Sequence, residues 1–371
     1  MTKLKIQVNR FWYYYFIARI VYLLFAILIY ARLTTLGDTN RYLTAPLSSI
    51  ANPKLFISST SMMDAIGSVF GILGGSNIIT NVPFTLAAFF IIKWAIDKHR
   101  FREYINNKLL FCILCLPNFC IWTGVCSKEC IGLIFSAILG SLILDFLNGN
   151  YSIKKKHWLA IYLCLIFKPQ YFPFILQGLV MIYLMNKYIK SINGKLFLGF
   201  FVIFCNLLVL YLISDIVNQY ADIMYLHFDD PNANSTRENI WIKENDFFYK
   251  APKGMFVAFF GPTFSEMLRS PTHLIAGIES CAILTLLFIL ASQMIIRLLY
   301  KYKLNLVIFF SYFIIITGIS LLHYPFGIFN PGSAIRYRTN FLFLFILLFL
   351  YISKYYNIFE RKSDYEANIL R

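Results

Sequence analysis

Long apolar runs separated by short polar stretches make up almost the whole chain. The runs occupy residues 11–31, 77–96, 109–122, 130–147, 158–168, 171–185, 196–214, 274–296, 304–322 and 340–353. Most approach the roughly 20 residues that a helix needs to cross a hydrocarbon core. The pattern therefore predicts an all-α fold, a polytopic transmembrane helix bundle of about ten spans forming one membrane domain over 1–371. Two intervening segments are long, near 32–75 and 215–273, and read as extracytoplasmic loops. The first carries an amphipathic stretch over 62–73, expected to lie along the membrane surface. The second, the largest, mixes acids, bases and aromatics. The runs at 109–122, 158–168 and 171–185 are short for a span and broken by Pro117, Pro169 and Pro173. Short or interrupted helices are tolerated where protein or a water-filled cavity covers their unpaired backbone groups. These breaks thus predict a polar cavity near the outer leaflet, with ordinary proline kinks as the alternative.

Composition agrees: 59% of residues are hydrophobic and 14% charged, more apolar surface than a water-soluble domain can hide. The net charge of +16 would point to nucleic acid in a soluble chain. Here Lys and Arg fall on alternate loops: Lys3, Lys5 and Arg10; Lys98, Arg100 and Arg102; Lys154, Lys155 and Lys156; Lys187, Lys190 and Lys195; Arg297, Lys301 and Lys303; and Lys354, Arg361 and Lys362. That is the positive-inside distribution, which places both termini in the cytoplasm and makes the basic excess topological. The first run has no small-residue cleavage site after it and reads as a retained span. Six of the eight cysteines lie inside apolar runs as small buried side chains. Cys120 and Cys126 flank an outer turn, where they either pair or stay free.

Ionisable groups beside hydrocarbon are costly, so a set of them at the outer ends of spans marks a candidate site. Asp38, Arg41, Lys128, Glu129, Lys168, Glu279, Arg336 and Arg338 form that set. The cytoplasmic loops carry no comparable group, and the P-loop, GxGxxG, HExxH and nucleophile-elbow patterns are absent from the sequence. This argues against an ATPase or nucleotide-sugar enzyme working on the inner side. Arg19 lies mid-span, to be paired with Asp145 or to snorkel to a lipid headgroup. His227, His273 and His323 all fall on the outer side, too scattered to define a metal or base site. The triplet Asn234-Ser235-Thr236 matches an N-glycosylation acceptor by chance.

Four short segments spread along the chain carry a resemblance. They are Gly37-Asp38-Thr39-Asn40-Arg41-Tyr42; Pro117-Asn118 through Trp122 and Gly124 to Ser127-Lys128-Glu129; Lys168-Pro169; and Asn330-Pro331-Gly332-Ser333-Ala334-Ile335-Arg336-Tyr337-Arg338. With Gly261-Pro262 through Glu266 into Glu279, the chain resembles the polytopic membrane proteins of bacterial O-antigen and exopolysaccharide clusters. These are O-antigen polymerases and integral-membrane glycosyltransferases that use polyprenyl-linked sugars. The resemblance implies the bacterial inner membrane, a polyprenyl-linked oligosaccharide substrate, membrane lipid around it, and a chain-length regulator and a flippase as further partners; no nucleic acid is expected from the charge pattern, and the sequence assigns no cofactor and no metal ligands.

It also implies roles. Asp38 matches an acid of the first outer loop and would take the proton of an acceptor hydroxyl, unless it only caps a turn beside Thr39 and Asn40. Arg336 and Arg338 would hold leaving pyrophosphate, unless both are interfacial anchors. At positions i and i+2 they suit one helix face poorly, so both can reach one site only if their segment is extended or turned. Arg41, Lys128, Glu129, Lys168, Glu279 and Tyr337 complete the expected substrate-binding set. Glu129 serves equally as a helix cap, and Lys168 stands where the family often has Arg, keeping charge without the fork.

Three functions follow in order. The first is an O-antigen or capsule polymerase joining undecaprenyl-pyrophosphate-linked repeat units on the periplasmic face. For it, the aromatics Tyr220, Tyr225, Phe228, Trp241, Phe247, Phe248 and Tyr249 of the large loop either stack on sugars or sit at the membrane interface. The second is a single-sugar transferase with a polyprenyl phosphate sugar donor. The third is a lipid-linked oligosaccharide flippase, disfavoured because the sequence shows no internal repeat.

Overall fold

Every regular element among the described residues, 9–228 and 236–359 of this computed structural model, is a helix. Lys3, Lys5, Asn234, Ser235, Arg361 and Lys362 lie outside that set, as do the side chains of His227 and Phe228. Helix α1 (Arg10–Phe25) continues through a π-helical turn (Ala26–Tyr30) into α2 (Ala31–Leu33). Next come α3 (Thr39–Leu43), α4 (Ser59–Gly71), α5 (Ile78–Lys98), α6 (Phe101–Tyr104), α7 (Asn107–Leu114), α8 (Pro117–Gly124) and α9 (Lys128–Leu147). The remainder comprises α10 (Lys155–Phe167), α11 (Phe172–Lys187), α12 (Ile192–Leu212), α13 (Ser214–Phe228), α14 (Asp246–Phe260), α15 (Phe264–Met267), α16 (Pro271–Tyr300), α17 (Leu306–Ile328) and α18 (Pro331–Tyr355).

Seven of the described helices are long and apolar enough to cross a membrane, and up to nine spans result if each of two bent pairs counts as one. The pairs are α7 with α8, bent by 55°, and α10 with α11, bent by 118°. Residues 158–168 and 171–185, expected as two separate spans, are thus the arms of one sharply folded pair. Pro169 explains the fold: it offers no N–H to the helix and pushes Lys168 out of helical geometry, to φ −150° and ψ 61°.

The bundle is organised on α9, buried along nearly its whole length and packed against α18, α10 and α5. Its two ends differ chemically. At one end Lys98 pairs with Asp145 at 2.5 Å, Lys354 donates to the His99 carbonyl at 3.1 Å, and Lys156 lies 4.3 Å from the Trp94 ring. At the other, α9 begins with Lys128 and Glu129, beside the start of α18.

Several expectations are corrected here. The segment 215–273 is largely helical where described: α14 packs against α17, and Trp241 and Phe247 are buried, the Trp241 indole N–H donating to the Tyr324 hydroxyl at 2.6 Å. Those two rings are spent on packing, whereas Tyr249 is exposed. The amphipathic stretch 62–73 falls in and just beyond α4: Val69, Ile72 and Leu73 stay exposed, while Met62 and Met63 are buried as α4 packs on α3. That approach is so close that a Cβ on Gly67 would stand 2.3 Å from the Tyr42 carbonyl oxygen. Cys120 and Cys126 are unpaired, like the other cysteines. Buried Arg19 meets neither Asp145 nor solvent and donates to Thr123 Oγ1 at 3.0 Å.

Candidate functional site

Gly37 turns the chain at φ +55°, a conformation that L side chains rarely adopt, and delivers Asp38 to the start of α3. Asp38 caps nothing. Its carboxylate instead accepts from the Tyr42 hydroxyl at 3.1 Å and faces two guanidinium groups, Arg336 at 3.5 Å and Arg41 at 3.8 Å. Burial alone would raise its pKa, but Arg336, Arg41 and the Tyr42 hydrogen bond outweigh that and hold it below the usual aspartate value. Arg41 also faces Asp64 at 3.6 Å.

Arg336 links this loop to the bundle. Its Nε donates to Glu129 Oε1 at 2.9 Å, and its guanidinium lies 5.5 Å from the Trp122 ring and 5.7 Å from that of Tyr337. Glu129 is 1% exposed, and its second oxygen has no hydrogen-bond partner. Ser127, not Glu129, caps α9, its hydroxyl accepting from the Cys130 N–H. Lys128 donates to Thr60 Oγ1 at 2.9 Å, and Lys168 Nζ stands 4.6 Å from the centre of the Tyr337 ring. The structure therefore gathers Asp38, Arg41, Lys128, Glu129, Lys168, Arg336 and Tyr337 into one neighbourhood.

Arg338 and Glu279 stand in a separate, closed cluster. The segment from Pro331 is helical rather than extended, and successive helical residues advance by about 100°, so positions 336 and 338 face nearly opposite ways. Arg338 is fully buried, donating to the Phe259 carbonyl at 2.8 Å, Ser280 Oγ at 2.7 Å and Glu279 Oε1 at 2.7 Å. Glu279 Oε2 accepts from the backbone N–H of Asn118 at 2.6 Å, at the start of α8. The cluster ties α8, α14, α16 and α18 together through hydrogen bonds that leave Arg338 no exposed face. His323 is buried against the Ala258 carbonyl, and among the described residues no three His, Cys, Asp or Glu side chains converge as a metal site.

Sequence reading missed Asp64, whose only signal was a lone acid in an apolar stretch, and gave no role to Trp122, which it named only within a motif. One cavity borders the site, and a second lies apart from it. A polar pocket of about 460 Å³ touches Gly37 and Arg336. An apolar cavity of about 330 Å³ lies deeper between α14, α16, α17 and α18, lined by residues such as Phe260, Leu286, Ile316, Phe345 and Phe349. No protein-family model, curated protein or solved structure matches the chain.

Proposed function

We propose that the chain is an integral-membrane glycosyltransferase of the bacterial inner membrane, an O-antigen or capsule polymerase acting on polyprenyl-pyrophosphate-linked repeat units at the extracytoplasmic face. The observation that carries this reading is the meeting of Asp38, Glu129 and Arg336, contributed by three distant segments, at the end of the bundle opposite the basic loops. A carboxylate and a fixed guanidinium side by side match what glycosyl transfer demands. The acceptor oxygen forms its bond to the anomeric carbon as the bond from that carbon to pyrophosphate breaks. The acceptor proton passes to the Asp38 carboxylate, and the electron pair leaves on pyrophosphate, stabilised by cationic donors. An apolar cavity between α16 and α18, apart from that cluster, offers room for part of a polyprenyl chain.

The positive-inside distribution supports cytoplasmic termini, and with them a hairpin of α10 and α11 that enters from the cytoplasm and returns there, its bend near Lys168 closing on the site. Deleting the gene in its own organism and separating the surface glycan on a gel tests the function. Loss of the polymer ladder with one repeat unit retained supports the polymerase. A truncated repeat replaces it with a single-sugar transferase, and an unchanged glycan overturns both.

A further inference from the structure

The polar pocket beside Arg336 has a lining unlike that of the acid cluster on Arg336's other side. Its walls are the end of the first span with Tyr30 and Leu33, residues Thr34, Thr35 and Gly37, Trp122, and the opening turns of α16 and α18. It is lined by two guanidinium groups, Arg269 and Arg336, and by no carboxylate. Arg269 is exposed and forms no ion pair among the described residues.

The two long helices begin alike. Each has proline at its first position, Pro271 and Pro331, which has no N–H to offer. Each has a capping side chain, Ser270 and Asn330, that accepts from the third residue, His273 at 3.2 Å and Ser333 at 3.0 Å. That leaves the N–H of the second residue of each helix, Thr272 and Gly332, as an uncapped donor, and both residues line the pocket. The positive ends of two helix dipoles therefore converge where two arginines already stand. Trp122, 5% exposed, forms part of the wall, and its indole interacts with the Tyr30 hydroxyl beside it.

We infer that this pocket binds the phosphoryl oxygens of a phosphate or pyrophosphate ester, with Arg269 and Arg336 as its cationic donors and the N–H groups of Thr272 and Gly332 completing it. The inference rests on the proposed transferase only for what bears the phosphate; the phosphoryl chemistry follows from the pocket. A lipid-linked sugar and a bulk phospholipid headgroup present the same oxygens, and experiment separates them.

The test follows thermal unfolding of the purified full chain in a neutral detergent during titration with inorganic pyrophosphate at constant ionic strength. The wild type should show a saturable rise in Tm. Arg269→Ala should weaken the apparent affinity about tenfold, as expected for loss of one charge-assisted hydrogen bond, with Arg269→Lys in between. Exposed Arg269 can be replaced without opening a cavity, so the variant remains folded. Repeating the titration in phosphatidylcholine and phosphatidylglycerol nanodiscs identifies the bearer: competition by phosphatidylglycerol assigns the pocket to bulk headgroups, and its absence assigns the pocket to a dedicated lipid-linked phosphate. No saturable shift in the wild type, or equal affinity in wild type and Arg269→Ala, overturns the inference. Pyrophosphate binding with an unchanged glycan in the deletion strain would remove the transferase and leave the pocket; a lost ladder without binding would do the reverse.

Discussion

Arg336 stands between two carboxylates, its Nη2 3.5 Å from Asp38 and its Nε 2.9 Å from Glu129, so one guanidinium joins the loop after the first span to the starts of α9 and α18. The two contacts differ in kind. Asp38 is 41% exposed, and its pairing with Arg336 is softened by solvent; Glu129 is 1% exposed and depends on Arg336 for neutralisation.

Removing Arg336 should therefore act mainly through Glu129. Arg336→Ala strands a buried carboxylate and should destabilise the protein by about 3 kcal/mol. The double variant Arg336→Ala with Glu129→Gln should recover much of that, because no uncompensated charge remains. Thermal unfolding in detergent checks the order of the three proteins, and the glycan ladder checks activity, which the double variant should still lack. Equal melting temperatures for the single and double variants would contradict the coupling.

Arg338 should behave oppositely in activity. It is fully buried with Glu279, so Arg338→Ala should cost about 3–5 kcal/mol and show as a fall in folded protein recovered from membranes. Glu279→Gln added to it should restore part of the loss while keeping an oxygen for the Asn118 N–H. Per folded molecule, the ladder should be unchanged. A folded Arg338→Ala protein without activity would move Arg338 into the site chemistry.

Acid should destabilise the protein through two depressed carboxyls, Glu266 and Asp38. The pKa of Glu266 is raised by burial but lowered more by the Arg237 fork, at 2.6 and 2.8 Å, and by the Thr263 N–H, leaving it at about 2. A carboxyl depressed in the folded state stabilises fully above its unfolded pKa, near 4.5, and loses that stabilisation as pH falls through the folded value. Asp38, also depressed, follows the same sign. Melting temperature should thus be level with respect to these two groups above pH 4.5 and fall toward pH 2, and Glu266→Gln should flatten that limb. Activity should show no acid limb from Asp38 at or above the ordinary aspartate pKa.

The apolar runs located the seven long helices, and the charged residues bordering the runs supplied most of the cluster around Arg336, because isolated charge beside hydrocarbon is too costly to be incidental. The divergence of Arg336 and Arg338 was also implicit in their spacing, once their segment is a helix. Other features were hidden. Helix α14 carries Asp246, Lys250, Pro252 and Lys253, which interrupt the apolar pattern and made it read as loop, although its other face packs on α17. Arg19 could not be assigned a partner from sequence, since its partner is the hydroxyl of Thr123 and not a carboxylate. The twin helix starts at Pro271 and Pro331 became a pocket only when folding placed them together.

Gly37 offers the sharpest test of how the loop and the bundle meet. Its φ of +55° disfavours any L side chain, and a Cβ there would stand 2.4 Å from Arg336 Nη1, far inside contact distance. Gly37→Ala must therefore incur the left-handed backbone cost, about 1–2 kcal/mol, and also displace the Arg336 guanidinium that faces Asp38. Gly149 provides the control, with φ +81° and nothing within 4 Å of its added Cβ, so Gly149→Ala incurs the backbone cost alone. The two variants should lose similar stability from the backbone, with Gly37→Ala somewhat less stable overall. Only Gly37→Ala should lose the polymer ladder and weaken pyrophosphate binding. Full activity in Gly37→Ala at its reduced melting temperature would show that Arg336 can be displaced without consequence, and the Asp38–Arg336 pairing would then have no part in the chemistry.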